Sequence, residues 1–214
     1  MKVYNEKVAA ICEKLSKIKV VPVLAVKDVA AAAQLGKVLS ENGMPCAEIT
    51  FRTDAAVDVI KAMKAAHPDM MIGAGTVLTR EQVDLAIDAG ADFAVSPGFN
   101  PDTVEYAISK GLPFMPGINN PSLVEQAMSL GLRTMKFFPA TVSGGTDMLK
   151  ALSAVYPVTF MPTGGIKPSN AKSYLELANV FCCGGTWMVP QDLIDKEDWS
   201  EIARLTKEAV ALVK

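Results

Sequence analysis

Short runs of hydrophobic residues alternate along the chain with longer segments in which apolar positions recur at helical spacing. Residues 20–26 form the first such run. Residues 28–42 form the helical segment after it, with Asp28 as its expected cap and Gly43 as its expected end. A continuous apolar run is typical of a strand covered on both faces, and helical spacing predicts the helix that covers it. The pattern therefore predicts alternating strands and helices.

Eight such repeats follow one another, with a period of about 20 to 25 residues. Strands are predicted over residues 20–26, 46–51, 70–77, 93–97, 113–118, 134–139, 158–162 and 180–183. Helices are predicted over residues 4–18, 28–42, 54–67, 79–89, 101–110, 121–130, 147–155, 168–177 and 198–213. Alternation at this pace predicts right-handed crossovers on a parallel sheet, and eight repeats indicate an α/β fold of the closed (β/α)8 TIM-barrel type with an additional N-terminal helix.

No linker rich in Pro, Gly or Ser interrupts these repeats, so residues 1–214 are predicted to form a single domain. The competing fold is a flavodoxin-like open sheet. It needs fewer strands, so it would leave some of the repeats unused.

Composition and charge exclude several classes of partner. Half of the 214 residues are hydrophobic and the formal net charge is −2, which provides no basic surface for nucleic acid or anionic lipid. No apolar run is long enough to span a bilayer, and the first residues are charged and lead into an amphipathic helix. We therefore expect a cytoplasmic protein with no nucleic-acid or membrane partner.

The cysteines and the single histidine argue against a metal centre. Cys12, Cys46, Cys182 and Cys183 contain no Cys-x-x-Cys pair, and they are interpreted as buried thiols in a reducing compartment. His67 stands at the end of a predicted helix, and one histidine makes a catalytic metal site of the usual kind unexpected. No metal or cofactor is predicted.

A lysine lies in the middle of the predicted strand over residues 134–139. Lys136 is flanked by Met135 and by two phenylalanines, although desolvating an ammonium group is costly. Desolvation of a lysine favours the neutral amine, which attacks carbonyl groups to form a Schiff base. The alternative is an edge strand whose lysine extends to solvent.

The second predicted strand carries three polar residues spaced by two, namely Glu48, Thr50 and Arg52. Alternation places them on one side of the strand, each step about 6 to 7 Å nearer to its carboxyl end. If that side faces inward, Glu48 needs a proton to share or a cation partner, and Lys136 is the candidate. The pair is interpreted either as an acid/base group beside an amine nucleophile or as a structural ion pair.

Paired glycines follow the seventh and eighth predicted strands, at Gly164-Gly165 and Gly184-Gly185. In many barrels of this type the loops after strands seven and eight bind a phosphate, because backbone N–H groups can close on the anion without a side chain in the way. The alternative is that these glycines only form tight turns.

Taken together, these segments resemble those of the family of 2-keto-3-deoxy-6-phosphogluconate (KDPG) and 4-hydroxy-2-oxoglutarate (KHG) aldolases. The similarity runs nearly end to end, and the residues that carry it are 48–53, 73–77, 96–98, 136–140, 162–166 and 184–187. The resemblance implies a metal-independent class I aldolase on a (β/α)8 barrel, typically a homotrimer. It implies reversible cleavage of 2-dehydro-3-deoxy-6-phosphogluconate to pyruvate and glyceraldehyde 3-phosphate.

The same resemblance implies a role for each matching residue. Lys136 would form the Schiff base and Glu48 would act as the acid and base. The other implied site residues are Arg52, Thr76 and Thr163 for the substrate carboxylate, Pro97 and Phe138 for its apolar side, and Gly164, Gly165, Gly184, Gly185 and Thr186 for the phosphate.

Three positions depart from the family pattern, and several alternatives for the substrate and the function stay open. Thr186 stands where serine is more common, Thr141 where glutamate is common, and Asn119-Asn120 where smaller residues are common. The alternative substrates are 4-hydroxy-2-oxoglutarate and the galactonate analogue of the phosphorylated acid. A phosphate-binding isomerase or synthase that forms no imine and a non-catalytic sugar-phosphate sensor are the alternatives from other classes.

Overall fold

A curled parallel sheet forms the centre of the computed structural model, which describes residues 1–213. Within these residues the strands are Val20–Leu24 (β1), Cys46–Thr50 (β2), Met71–Gly75 (β3), Phe93–Val95 (β4), Phe114–Met115 (β5), Gly117–Ile118 (β6), Thr134–Phe137 (β7), Thr159–Pro162 (β8) and Cys183–Gly185 (β9). The helices are Lys2–Ile18 (α1), Ala31–Glu41 (α2), Ala56–Ala66 (α3), Arg80–Asp88 (α4), Pro101–Lys110 (α5), Pro121–Ser129 (α6), Gly145–Ser153 (α7), Pro168–Leu175 (α8), Gln191–Asp195 (α9) and Trp199–Val213 (α10).

Every strand pair in the sheet is parallel. Six strands are hydrogen-bonded in the order β5-β4-β3-β2-β1-β9, and three more in the order β6-β7-β8. Isolated bridges join Phe160 of β8 to Val180, and Thr163 to Gly184 of β9. Because the strands are parallel, their carboxyl ends meet at one edge, where the loops that follow them gather.

The strands are buried along almost their whole length, and the buried hydrophobic residues form one cluster. Phe137 of β7 and Phe160 of β8 pack edge to face within it, with ring centroids 6.3 Å apart. Helices cover the outer face, for example α2 and α3 against β2. This double coverage explains the continuous apolar runs and confirms the prediction of a mixed α/β fold on a parallel sheet.

Several predicted elements differ in detail from the structure. The last strand lies at Cys183–Gly185, not at residues 180–183, because its partner β1 pairs with Cys183 at Val20. The predicted strand over residues 113–118 is divided into β5 and β6 at Pro116, which has no N–H to donate. Helix α9 was not predicted. Asp28 does not cap α2, since its carboxylate accepts a hydrogen bond from the Ala30 N–H and α2 begins at Ala31 without a side-chain cap.

Helix α1 lies across the amino ends of β5 and β7. The Tyr4 hydroxyl accepts a hydrogen bond of 2.9 Å from the Phe114 N–H, and the Cys12 thiol lies 3.9 Å from the Thr134 hydroxyl. Burial raises the pKa of Tyr4 to about 12 and that of Cys12 to about 11. The groups that α1 brings to this end of the sheet are therefore held in their neutral forms.

The cysteines and the histidine lie in surroundings that suit a structural role. All four cysteines are free thiols, and burial raises the pKa of Cys183 to about 12. His67 ends α3, where its Nε2 lies 2.7 Å from the carbonyl oxygen of Ala33. Among residues 1–213, no three or more His, Cys, Asp or Glu side chains are grouped so that they could hold a metal ion. None of the helices over the same residues is long and apolar enough to cross a bilayer.

Candidate active site

A cavity of about 290 Å³ opens at the carboxyl ends of the strands. Every site residue predicted from the sequence lines it: Glu48, Arg52, Thr76, Pro97, Lys136, Phe138, Thr163, Gly164, Gly165, Gly184, Gly185 and Thr186. Val23, Thr50 and Ile166 complete the lining. Residues that are up to 163 positions apart in the chain, Val23 and Thr186, therefore line one cavity, as strand ends do in parallel folds.

Lys136 and Glu48 face each other on the cavity wall. Each is the third residue of its strand, and Lys136 Nζ donates hydrogen bonds of 2.9 and 3.3 Å to the two carboxylate oxygens of Glu48. Their side chains are 6% and 1% exposed. Because β7 is paired on both sides, by β6 and β8, the interpretation of Lys136 as an edge-strand lysine that extends to solvent is wrong.

Small and aromatic neighbours shape the surroundings of this pair. A Cβ atom on Gly75 would lie 2.3 Å from Glu48 Oε1, so only glycine at this position leaves room for the carboxylate. Lys136 Nζ also lies 5.6 Å from the centroid of the Phe138 ring, within the range of a cation–π contact. The amine thus has a carboxylate and an aromatic ring as neighbours, and both border the same cavity.

Thr76 follows β3 with a left-handed backbone, at φ 59°. A β-branched residue in this region is a genuine outlier, and such strain costs of the order of 1–3 kcal/mol. Strained residues of this kind persist where the surrounding structure over-determines them, and they cluster at ligand sites. The position of Thr76 on the cavity wall fits that pattern.

Arg52 stands at the mouth of the cavity and is exposed. Its Nε donates a hydrogen bond of 3.0 Å to the Thr50 hydroxyl, which itself donates one of 2.8 Å to the carbonyl oxygen of Leu24. The bond uses Nε and leaves the N–H donors of the two Nη nitrogens available for a ligand. Sequence reasoning noted the spacing of Thr50 but assigned it no part in the site.

Thr163 brings a buried hydroxyl without a partner to the cavity. Among residues 1–213, its Oγ1 has no hydrogen-bond partner, although the residue is only 6% exposed. A buried polar atom left without a hydrogen bond is costly, and in a native structure it needs an explanation. Thr163 is the residue directly after β8, and it lines the cavity.

The two glycine pairs differ in conformation. Gly164 and Gly165 follow β8 with φ of 99° and 78°, values that favour glycine. Gly184 and Gly185 lie within β9, so the prediction that they follow the strand is wrong, because the strand begins later than predicted. They are required there by close packing. A Cβ on Gly184 would lie 2.4 Å from Thr163 Oγ1, and one on Gly185 would overlap the Trp187 ring.

Comparison with known proteins identifies the family. A family model described as KDPG and KHG aldolase matches residues 11–205. A 2-dehydro-3-deoxy-phosphogluconate aldolase of Haemophilus influenzae is 46% identical over 205 residues, which cover 95% of this chain and 97% of that protein.

Two solved structures are similar over nearly the whole chain. The KDPG aldolase of Legionella pneumophila, solved with pyruvate captured at low pH as a covalent carbinolamine intermediate, has a TM-score of 0.88 and 38% identity over 91% of this chain and 95% of that one. The KDPG aldolase of Zymomonas mobilis ZM4 with 3-phosphoglycerate has a TM-score of 0.87 and 39% identity over 94% and 95%. The chain therefore belongs to the family of KDPG and KHG aldolases.

Proposed function

We propose that this chain is a class I aldolase that cleaves 2-dehydro-3-deoxy-6-phosphogluconate reversibly to pyruvate and glyceraldehyde 3-phosphate. The observation that carries the proposal is the contact of 2.9 Å between Lys136 Nζ and the Glu48 carboxylate, buried in the wall of an open cavity. A primary amine with an adjacent proton acceptor is the arrangement that Schiff-base formation needs.

Similar proteins support both the imine chemistry and the phosphorylated substrate of this proposal. The Legionella pneumophila aldolase was captured with pyruvate as a covalent carbinolamine, the adduct that precedes an imine. The Zymomonas mobilis aldolase was solved with 3-phosphoglycerate, a small phosphorylated acid. The cavity of about 290 Å³ offers space for a ligand of that kind beside the left-handed turn at Gly164 and Gly165.

In the proposed mechanism, Lys136 is the nucleophile. Glu48 accepts a proton from Nζ, and the free electron pair of the amine forms a bond to C2 of the keto acid. A proton of the attacking amine passes through Glu48 to the carbonyl oxygen, which gives the carbinolamine. Glu48 then donates the proton that it took from Nζ to the hydroxyl group, so that water leaves and an iminium ion forms. The iminium ion accepts the electron pair of the C3–C4 bond when that bond breaks.

Glu48 is the acid and base in each later step. It removes the proton of the C4 hydroxyl as the C3–C4 bond breaks, and glyceraldehyde 3-phosphate leaves while the enamine of pyruvate stays on Lys136. Protonation of the enamine at C3 restores the iminium ion. Addition of water at C2 then releases pyruvate and regenerates the amine.

The remaining cavity residues bind and orient the substrate. Arg52 grips the carboxylate through its Nη nitrogens in two-pronged fashion, which a lysine cannot do, and Thr76 and Thr163 bind it beside Arg52. Pro97 and Phe138 pack against the apolar side of the substrate. The phosphate is bound by Gly164, Gly165, Gly184, Gly185 and Thr186. No metal or cofactor takes part in this mechanism.

We further propose the architecture and setting that go with this activity. We propose a closed eight-stranded barrel in which β5 and β6 act as one strand and α1 lies outside the eight repeats; the isolated bridges from Phe160 to Val180 and from Thr163 to Gly184 support it. The whole chain forms one domain, acts in the cytoplasm and assembles as a homotrimer. Size-exclusion chromatography with light scattering tests the trimer, and a monomeric mass would contradict it.

Borohydride reduction in the presence of pyruvate tests the activity directly. Reduction converts an imine into a stable secondary amine, so peptide mass mapping should find one pyruvate-derived adduct, on Lys136. Lys136→Arg keeps the positive charge but forms no imine, and it should give no adduct. An adduct at a different lysine, or none in the unaltered chain, would overturn the assignment.

A side-by-side kinetic assay addresses the substrate. The phosphorylated gluconate acid, its galactonate analogue and 4-hydroxy-2-oxoglutarate are compared by kcat/KM. We expect the phosphorylated gluconate acid to be preferred to 4-hydroxy-2-oxoglutarate, because the turn at Gly164 and Gly165 offers N–H groups to a phosphate that 4-hydroxy-2-oxoglutarate lacks. We expect it to be preferred to the galactonate analogue as well, because the Haemophilus influenzae relative is a 2-dehydro-3-deoxy-phosphogluconate aldolase. A higher kcat/KM for either of the other two acids would reassign the substrate while leaving the imine chemistry intact.

A further inference from the structure

The exposed Arg52 side chain borders more than one cavity. Besides the central cavity, it borders a cleft of about 450 Å³ that also contacts Leu24 and Trp187, and another of about 410 Å³ that contacts Lys27 and Thr53. An exposed arginine side chain has many rotamers, and fixing one of them costs conformational entropy. Accurate placement of the guanidinium over the central cavity therefore needs a restraint.

Thr50 provides that restraint through a directional chain of hydrogen bonds. Its hydroxyl has one proton, which it donates to the carbonyl oxygen of Leu24 at 2.8 Å. The lone pairs are left to accept from Arg52 Nε, which can only donate, at 3.0 Å. Thr50 is 2% exposed at the end of β2, and Leu24 is the last residue of β1, so the chain is anchored in the sheet.

We propose that Thr50 is a positioning residue that holds the Arg52 guanidinium over the cavity and thereby sets the preference of the site for a substrate with a carboxylate beside the keto group. This inference rests on the proposed aldolase function and adds a residue to it. Thr50 does not touch the reacting atoms in this scheme; it acts through Arg52. Its loss should weaken recognition of the carboxylate more than it slows the chemistry.

The chain offers a matched control for this idea. The Thr53 hydroxyl donates a hydrogen bond of 2.8 Å to the carbonyl oxygen of Val26, so it ties the same two chain segments together one step further along. Thr50→Val and Thr53→Val each remove a hydroxyl and leave a carbonyl oxygen without that donor. Only the first removes a bond to Arg52. Thr50→Ser restores the hydroxyl at the same position.

The experiment is borohydride trapping over a range of concentrations of pyruvate and of pyruvamide, in which a neutral amide replaces the carboxylate. A charge-assisted hydrogen bond, such as the one proposed between the Arg52 guanidinium and the substrate carboxylate, accounts for about 10-fold to 100-fold in affinity. We therefore expect Thr50→Val to raise the half-saturating pyruvate concentration by about 10-fold or more, with a smaller change in the trapping rate at saturation. Pyruvamide trapping should change by less than about twofold, and Thr50→Ser and Thr53→Val should stay close to the unaltered chain.

Other outcomes would overturn the inference. One is equal losses with pyruvate and pyruvamide in Thr50→Val, and another is a pyruvate response that does not change. A Thr50→Val effect that persists in an Arg52→Ala background would also refute action through Arg52. Should the valine variant fail to fold, Thr50→Cys replaces it, because a thiol is a weak hydrogen-bond partner. Failure of the unaltered chain to trap pyruvate at all would refute the proposed function itself.

Discussion

The buried polar groups at the two ends of the sheet differ in charge and in hydrogen bonding. At the amino end, helix α1 covers β5 and β7, and the Tyr4 hydroxyl is satisfied by the backbone of Phe114. At the carboxyl end, the Thr163 hydroxyl is buried without a partner among residues 1–213, and Lys136 is buried against Glu48. The buried groups that α1 covers, Tyr4 and Cys12, are neutral, whereas the carboxyl end holds a buried ion pair beside an open cavity.

This difference separates stability from function along the same strands. A satisfied hydrogen bond at the amino end contributes about 1 kcal/mol to stability, and neither Tyr4 nor Phe114 lines the cavity. At the carboxyl end, a buried ion pair and a left-handed Thr76 are costs that the rest of the fold must offset. We therefore expect substitutions at the amino end to change the free energy of unfolding, and those at the carboxyl end to change turnover.

The largest effect expected from this comparison concerns Glu48. Glu48→Gln keeps the shape of the side chain but cannot accept a proton as a carboxylate does, so kcat should fall by about 10²- to 10⁴-fold. The matched substitution at the other end, Tyr4→Phe, should leave kcat within about twofold. Steady-state kinetics on both variants measures the contrast. A near-normal rate in Glu48→Gln would contradict the acid/base role of Glu48. A slow Tyr4→Phe enzyme would contradict the separation of stability at the amino end from function at the carboxyl end.

A smaller effect concerns the pH dependence of stability at the amino end. The pKa of Tyr4 is raised from 10.0 to about 12, so folding favours the neutral hydroxyl. Its contribution is complete below pH 10 and is lost as the pH rises through 12. The unaltered chain should therefore lose about 2 kcal/mol of its stability advantage over Tyr4→Phe between pH 9 and pH 11.5.

Urea unfolding of both proteins at several alkaline pH values measures this advantage. Comparison with Tyr4→Phe cancels the other groups that titrate in the same range. At pH 9 the phenylalanine variant should be less stable by about 1 to 3 kcal/mol, because the Phe114 N–H loses its acceptor. Parallel stability curves for the two proteins would show that the Tyr4 hydroxyl does not couple to folding.

The comparison also shows why parts of the fold could be predicted from sequence. Helix α5 was predicted with its observed bounds, since Pro101 and Gly111 mark its two ends with local backbone chemistry. The last strand was misplaced because its limits are set by pairing with β1, a partner far away in the chain. Local signals thus defined the ends of α5, although the cap expected at Asp28 did not form, while the ends of β9 depend on a partner that the sequence does not display.

The site was predictable to the extent that its residues are unusual for their surroundings. A lysine in an apolar run and a carboxylate on another strand drew attention to Lys136 and Glu48, and the structure brings them together. Thr50 carried no such signal, because a threonine in a strand is ordinary. Its importance depends on the bond to Arg52 Nε, which is a feature of three-dimensional geometry.

The smallest expected effect is a test of strain at the carboxyl end. Thr76 has φ 59°, and asparagine adopts this left-handed conformation more readily than a β-branched residue does. Thr76→Asn should therefore raise the free energy of unfolding by about 1 kcal/mol. The same change should raise KM, because it alters a side chain on the cavity wall. Urea unfolding and steady-state kinetics on one preparation measure both quantities. A variant that is less stable, or one that gains stability without any change in KM or kcat, would show that the strained backbone at the carboxyl end does not serve the site.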